Sequence, residues 1–579
     1  MNDPHRRLRK TTEILRTTEM TFNAGTYDNF IAAHSPVMQR VSPSYTGAGT
    51  EFDIVIVGSG MGGGVLADAL ADKGNDQPKK RILVLEAGSF LYPTHVYNCS
   101  RLPNGQVAQR FGCGTFRQTG DSGSTNFIGE RPQLNFGGRS IFWSGLIPTV
   151  QPWELDFFPE AVRQALASGL LDQAGTAMNQ AVTMGAVAEA IVQRLQASPL
   201  AQDFVIEQTP RALHQPYLQQ NGAPVQNFFV ESTGVFNTAE LLINQLKLSG
   251  DDNSGADPRG LNLLLNHYVE DIRRLDDGRL EVFSRNTLNG EARSFQAGKV
   301  VLAAGSIESP KLLQRSTIGR DLGDDVKGLI GRGLTDHPTT SNLHVEATHI
   351  GDFAIPRDST AKIIFYSKGE RDGGRIRYPF NVEMNVNHEY WHLRENDPSA
   401  PETPIPLDGL PIVDIKFSFG NPLDAANVIK TAPPFGYVPE IEFRNQSHMD
   451  HLCGSRFPAL AGWRKNAGEV FDLLNDVSDR IFGEFLKDGV PCRSSERLGQ
   501  DGRGFGWGTV HHAVGSLRMP GKDSHDGPVQ PASVVDENLQ VVGADNLYVC
   551  DMSVMPFSSA ANPVRHLVAL ALRLSARIG

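Results

Sequence analysis

Cysteine is scarce in this chain. There are five in 579 residues (Cys99, Cys113, Cys453, Cys492 and Cys550), scattered and with no C-x-x-C pair. Such spacing supports neither a disulfide framework nor a zinc site. Long apolar runs are missing too, since no stretch approaches the roughly 18 residues that span a bilayer. Positive charge is not in excess: 54 Lys and Arg against 65 Asp and Glu leave a net −11. Nucleic-acid binding needs a basic face, so it is not expected. The segment Met1 to Met20 is polar, and no apolar stretch follows Arg6-Arg7, so export is not expected either. Internal repeats and low-complexity tracts are absent. The expectation is a cytoplasmic protein with a large core, without a membrane span, a metal ion or a nucleic-acid partner.

What is present concentrates first at Asp53-Ile54-Val55-Ile56-Val57-Gly58-Ser59-Gly60-Met61-Gly62-Gly63-Gly64. A β-branched run stops at glycines and a helical pattern begins, the form of a buried parallel strand turning into a helix. Gly58, Gly60 and Gly63 keep G-x-G-x-x-G spacing: one for the turn, one for approach to a pyrophosphate, one for helix–strand packing. The unpaired N–H groups at the helix start suit an anion. A second strand, Arg81 to Leu85, ends at Glu86, where a carboxylate can meet a ribose hydroxyl. These features read as a dinucleotide site of undecided kind, against a plain glycine turn.

Along the chain, residues 1–50 form a polar arm whose basic run Arg6 to Lys10 reads as a solvated helix start. Residues 98–138 are mostly loop. They lead into Asn135-Phe136-Gly137-Gly138-Arg139-Ser140-Ile141-Phe142-Trp143-Ser144-Gly145, which reads equally as backbone passing a flat ligand or as a tight turn over an aromatic pair. Helices are expected at Phe158–Leu170, Ala174–Leu195, from Asn237 to Leu248, at Glu469–Leu486 and at Val564–Ile578. Strands are expected at Leu261–Asn266 and His267–Ile272, with a hairpin at Asn289-Gly290 and a buried strand Lys299 to Ser306. From 341 to 500 alternating segments separated by Pro and Gly suit a β-rich layer. Its proline-crowded stretch 398–412 is either a substrate lid or a surface connection. Near the end come His511-His512, the strand Asn546 to Asp551, and the turn Ser558 to Pro563. Adjacent residues on an extended segment face opposite ways, so one histidine at most reaches a given site.

Six blocks occur in order: the glycine loop with Glu86-Ala87-Gly88, Val301 to Pro310, Asp336-His337-Pro338, His512 to Ser516, Val535-Asp536, and Asp551 to Pro556. Together they resemble the glucose–methanol–choline (GMC) oxidoreductases. Gly138-Arg139-Ser140-x-x-Trp143-Ser144 and Asn562-Pro563 look most like its pyranose oxidases and bacterial sugar and C-glycoside oxidases. The resemblance implies an α/β fold: a Rossmann-like FAD domain (51–150, 231–340 and 500–579) and a substrate domain on an antiparallel sheet with helices (151–230 and 341–499). It implies FAD, bound by Gly58, Gly60, Met61, Gly63, Glu86, Gly138, Ser140, Trp143, Ser144, Val269, Ala304, Ser306, Asp551 and Asn562. Phe142 stands where the fungal enzymes carry a flavin-linked histidine, so the FAD should be noncovalent.

The implied reaction oxidises a hydroxyl of a sugar, glycoside or other alcohol by hydride transfer to flavin N5, with His512 as base and Asn562 as partner. His511 would be structural. Electrons would pass to O₂ or a quinone, and a homo-oligomer is compatible. With imidazole as base, kcat/KM should rise through a pKa near 6–7. A lyase or light-driven decarboxylase built on the same fold, or a flavin-bearing binding protein, are the alternatives.

Overall fold

The protein is described here from a computed structural model. It covers residues 49–72, 80–90, 116–120, 131–181, 185–213, 235–249, 260–368, 371–372, 375–376, 380–387, 409–431, 438–443, 467–506, 511–522 and 529–579. The arm before residue 49, Cys99, Cys113, Cys453 and most of the 398–412 stretch lie outside the described residues.

The β-branched run at Glu51–Val57 forms the middle of a seven-stranded sheet, with parallel neighbours Arg81–Leu85 and Ala292–Leu302. Gly260–Leu264 extends the parallel set beyond Arg81–Leu85. Ala292–Leu302 is long enough to serve two partners on its far side. Its first half pairs antiparallel with Leu280–Asn286, and its last residues pair parallel with Leu547–Val549. The hairpin lies at Asn289-Gly290, where Gly290 takes φ +77°. Parallel strands buried on both faces need apolar cover. Helices Met61–Ala71 and Val564–Ile578 supply it, together with Thr238–Ser249, whose entry is capped by Asn237 Oδ1 accepting from Glu240 N at 2.9 Å.

A second seven-stranded sheet runs Phe505–Gly506, Thr339–Thr340, Ile412–Phe419, Phe380–Val386, Ala361–Ser367, Phe204–Gln208, with Leu343–Glu346 beside Ile412–Phe419. All its pairings are antiparallel. It packs one face against helices Ala186–Ala197 and Ala467–Phe482 in a separate apolar core.

Three expected helices differ. The span Phe158–Leu170 starts only at Glu160 and kinks at Ser168 and Gly169, where Gly169 takes φ +108°. The span Ala174–Leu195 is broken: a helix ends at Ala177, Gln180–Ala181 pairs with Arg211–Ala212, and a new helix starts at Ala186. Asn179 at φ +48° and Gly185 at φ +106° turn the chain where a helix cannot continue. The helix expected to reach Leu486 stops at Phe482, because Phe485–Lys487 pairs with His349–Ile350. The two cores meet at the segment 152–158. Trp153 and Phe157 enter the second core, with the Phe157 ring stacked 3.7 Å from that of Phe557, while Leu155 and Phe158 enter the first.

Candidate functional site

A cleft of about 1160 Å³, part of it open to solvent, lies over the C-terminal ends of the parallel strands. This is where open α/β sheets bind ligands. Its walls include Gly58, Gly60, Met61, Glu86, Gly138, Val269, Ala304, Ser306 and Asp551. The glycines divide their roles as the spacing suggests. Gly58 holds φ +105°, and a Cβ there would lie 2.5 Å from Ala303 O. A Cβ on Gly63 would lie 2.1 Å from Gly58 O, so this glycine lets the helix close on the strand. At Gly60 a Cβ would meet nothing within 4 Å. That position is open to the cleft, at the start of a helix with no acidic residue in its first turn.

Glu86 is buried at the cleft wall. Its Oε2 accepts from Ser59 N at 3.1 Å and Ser59 Oγ at 2.6 Å, and its Oε1 from Gly88 N at 2.9 Å. Burial pushes its carboxyl up, against the pull of these hydrogen bonds. Asp551 is similarly buried: Oδ2 accepts from Gly305 N at 2.9 Å and Oδ1 from Ser553 N at 2.9 Å, fixing the start of helix Gly305–Arg315. Ser306 Oγ donates to Ala513 O and Ser516 Oγ to Ser306 O, both at 2.6 Å. These bonds lash that helix start to the segment carrying His512.

Gly63, Ser140, Trp143, Ser144 and Asn562 stand off the cleft walls. Ser140 Oγ donates to Gly137 O at 2.6 Å and Trp143 Nε1 to Phe236 O at 2.7 Å, so both shape the wall from behind. Asn562 is half-buried in the turn before the last helix. Glu154 anchors that turn: fully buried, its Oε1 accepts from Ser559 Oγ at 2.5 Å and Ala561 N at 2.9 Å. Nothing in the local sequence of Glu154 marked it.

His511 and Ala513 line the cleft and His512 lies between them, paired with His337. His512 Nδ1 stands 2.7 Å from His337 Nε2. Thus His511, expected to be purely structural, reaches the cleft wall, because its φ of +64° breaks the extended alternation. His337 belongs to the Asp336-His337-Pro338 block but had no role assigned from sequence. Its own N–H donates to Asp336 Oδ1 at 2.8 Å. Asp336, His337 and His512 bring donor atoms within 4.8 Å of one another. Two nitrogens on one tetrahedral ion would stand roughly 3.3 Å apart with lone pairs convergent. These two instead face each other at 2.7 Å, as a hydrogen-bonded pair does. Burial, reinforced by His337 and His511, pushes the His512 imidazole well below the ordinary value of 6.5. An apparent pKa near 6–7 is therefore too high for this histidine.

Residues 255–339 match the N-terminal GMC oxidoreductase family model and residues 491–571 the C-terminal one. Both matched segments are thus similar to GMC oxidoreductases. It is 27% identical to pyridoxine 4-oxidase of Microbacterium luteolum over 279 residues, 47% of this chain and 49% of that protein. It is 25% identical to pyranose 2-oxidase of Tricholoma matsutake over 302 residues, 50% of this chain and 47% of that protein. The chain thus spans about half the length of the curated relatives it matches. Among solved structures, pyridoxine 4-oxidase from Mesorbium loti superposes with a TM-score of 0.56 at 17% identity, covering 91% of this chain and 98% of that one. A formate oxidase of Aspergillus oryzae, solved to study FAD modification, gives 0.57 at 14% identity over 92% and 98%. The GMC fold is shared throughout these. Among the described residues, no helix is long and apolar enough to cross a membrane.

Proposed function

We propose that this GMC-fold protein is a FAD-dependent oxidoreductase that converts a hydroxyl of a sugar, glycoside or other alcohol to a carbonyl. His512 is the base, Asn562 its partner, and O₂ or a quinone the final acceptor. The observation that carries the reading is the His512–His337 pair, Nδ1 to Nε2 at 2.7 Å, beside a glycine-lined cleft on a Rossmann-type sheet, with the His512 imidazole pushed well below its ordinary value by burial.

The residues present fit FAD. Open space at Gly60 admits a pyrophosphate where a side chain would stand in its way. The adjoining helix N-terminus favours its charge. Glu86, whose Oε1 accepts from Gly88 N, would take an adenosine ribose hydroxyl. Val269, Ala304, Ser306 and Asp551 would line the cofactor, and Gly138, Ser140, Trp143, Ser144 and Asn562 would bound its flavin end. Phe142 offers no nucleophile, so the cofactor is held without a covalent bond at that position.

When bound, FAD supplies the hydride acceptor. The chain supplies the proton acceptor and the order around it. For His512 to take a hydroxyl proton at Nε2, its Nδ1 must carry the other proton. With that N–H donated to His337 Nε2 across the 2.7 Å contact, the tautomer and the plane of the ring would both be held. The Asn562 amide can donate to the developing alkoxide without titrating, which stabilises charge at the moment it appears. Ser306 and Ser516 hold His512's segment to the cleft wall, and Glu154 holds the turn of Asn562.

Anaerobic mixing of the FAD-loaded protein with monosaccharides, glycosides, pyridoxine, choline and simple alcohols, in the dark, tests this. Flavin bleaching by at least one of them is expected. No bleaching with any alcohol, or activity that requires light, contradicts the proposal.

A further inference from the structure

Arg139 sits inside the Gly138-Arg139-Ser140-x-x-Trp143-Ser144 block, yet no step of the reaction uses it. The backbone fixes where its side chain starts. Gly137 takes φ +85° and Gly138 φ +53°, which turns the chain into the short 3₁₀ segment Gly138–Ile141. A Cβ on Gly138 would lie 3.1 Å from Gly60 Cα. The turn therefore rests on the glycine loop, beside the space at Gly60 that suits a pyrophosphate. The far end of the side chain is fixed as well, since Arg139 Nη2 donates to Arg131 O at 2.6 Å. The residues after Arg131, namely Pro132, Gln133 and Leu134, line the cleft. They lie against Gly88, where a Cβ would come 1.9 Å from Leu134 O, and Gly88 N donates to Glu86 Oε1 at 2.9 Å. Arg139 is half-buried, and it lines the cleft between the glycine loop and the Glu86 end.

Charge singles this residue out. Among the described residues that line the cleft, Arg139 is the only lysine or arginine. The other ionisable side chains there include the carboxyl groups of Glu86, Glu308 and Asp551 and the imidazoles of His267 and His511. A pyrophosphate brings a dianion to such a wall. The start of helix Met61–Ala71 offers N–H groups but only roughly half a unit of positive charge. Charge balance calls for a further cation, and a guanidinium fork matches a pair of phosphate oxygens.

We propose that Arg139 is the cation that binds the cofactor's pyrophosphate, its guanidinium shared between phosphate oxygens and the Arg131 carbonyl. This rests on the cleft being a FAD site. The same guanidinium holds the chain at Arg131, so the diphosphate also fastens the cleft-lining residues Pro132 to Leu134 over the adenosine half. A flavin without the diphosphate gains neither contact. Arg139 thereby selects the dinucleotide over riboflavin, a task that leaves the chemistry at His512 untouched.

The test titrates FAD and riboflavin, by flavin fluorescence, into the full-length protein stripped of flavin: wild type, Arg139→Gln and Arg139→Lys. Arg139→Gln keeps a donor for Arg131 O and removes the charge. Its Kd for FAD is expected to rise about 10–100-fold, with the riboflavin Kd kept within about twofold. Wild-type affinity for FAD should weaken between about 0.05 M and about 0.5 M salt, and that of Arg139→Gln should weaken less. Arg139→Lys keeps the charge without the fork and should bind FAD about fivefold more weakly. Melting temperatures of the flavin-free proteins separate a folding defect from a lost contact. If Arg139→Gln does not fold, Arg139→Lys decides. A wild type that binds the two flavins equally, or a folded variant that keeps the wild-type ratio of FAD to riboflavin affinity, overturns the role of Arg139 while leaving a flavin in the cleft. A wild type that binds neither flavin overturns both.

Discussion

At pH 7 the His512 imidazole is already neutral, because burial and the neighbouring His337 and His511 all oppose a positive charge there. A base that must stay unprotonated gains from such a setting, and its pH dependence moves accordingly. The acid limb of kcat/KM should lie below 6.5, with a flat profile around neutrality. His337 contributes to this depression, so His337→Gln should move the limb to higher pH and cost more activity near pH 5.5 than near pH 8. A limb that stays in place in His337→Gln would show that the pair is not coupled. Gly60 makes a separate prediction about the cofactor. Because a Cβ at Gly60 meets no protein atom within 4 Å, Gly60→Ala should keep the wild-type melting temperature yet bind FAD more weakly. Flavin affinity equal to wild type would remove the pyrophosphate from this spot.

The element that carries Asn562 is a turn held at the seam between the two cores. Phe557 and Ala560 belong to the second core and Val564 to the first, and Glu154 ties the residues between them. Burial pushes the Glu154 carboxyl up, while Ser559 and the Ala561 and Gln151 N–H groups pull it back. Glu154→Ala should slow flavin reduction in the wild type but add little in an Asn562→Ala background, which a double-mutant cycle on the reduction rate reads out. Full additivity would make Glu154 merely structural. Glu154→Gln, which keeps an acceptor oxygen, should recover part of the loss.

The elements themselves were legible where patterning is local. The parallel strands read as β-branched runs, the hairpin as Asn289-Gly290, and the alternating strands of the second sheet by their period of two. The candidate site was legible only at its motif-bearing half, the glycine loop and the proposed base His512. His337 and Glu154 act across 175 and 407 positions of sequence, through contacts that no local pattern encodes. His511 broke the alternation rule because the backbone there is left-handed.

At the scale of the whole molecule, acid should be the solvent condition that unfolds this protein. His566 is buried against Phe158, the two rings stacked at 5.6 Å, and burial with Arg565 beside it pushes its imidazole down to about 3. In the unfolded chain the same group titrates near about 6.5. The folded state therefore binds fewer protons, and stability is lost as pH falls from that value, by about 1.4 kcal/mol per unit for one such histidine. His512 and His267, also depressed by burial, act with the same sign. Glu86, Glu154 and Asp551, whose carboxyls burial raises, act oppositely once pH reaches their range. His566→Phe keeps a ring against Phe158 and removes the titration. Its melting temperature should fall less than that of wild type between about pH 7 and about pH 5. An equal fall would place the acid sensitivity elsewhere.

The most direct measurement of the central claim follows flavin absorbance after anaerobic mixing, in the dark, of FAD-loaded wild type and His512→Ala with the substrate that reduces the wild type fastest. His512→Ala should hold FAD as the wild type does and reduce about 10²–10⁴-fold more slowly. A flavin-loaded His512→Ala that bleaches at close to the wild-type rate would contradict the assignment of His512 as base.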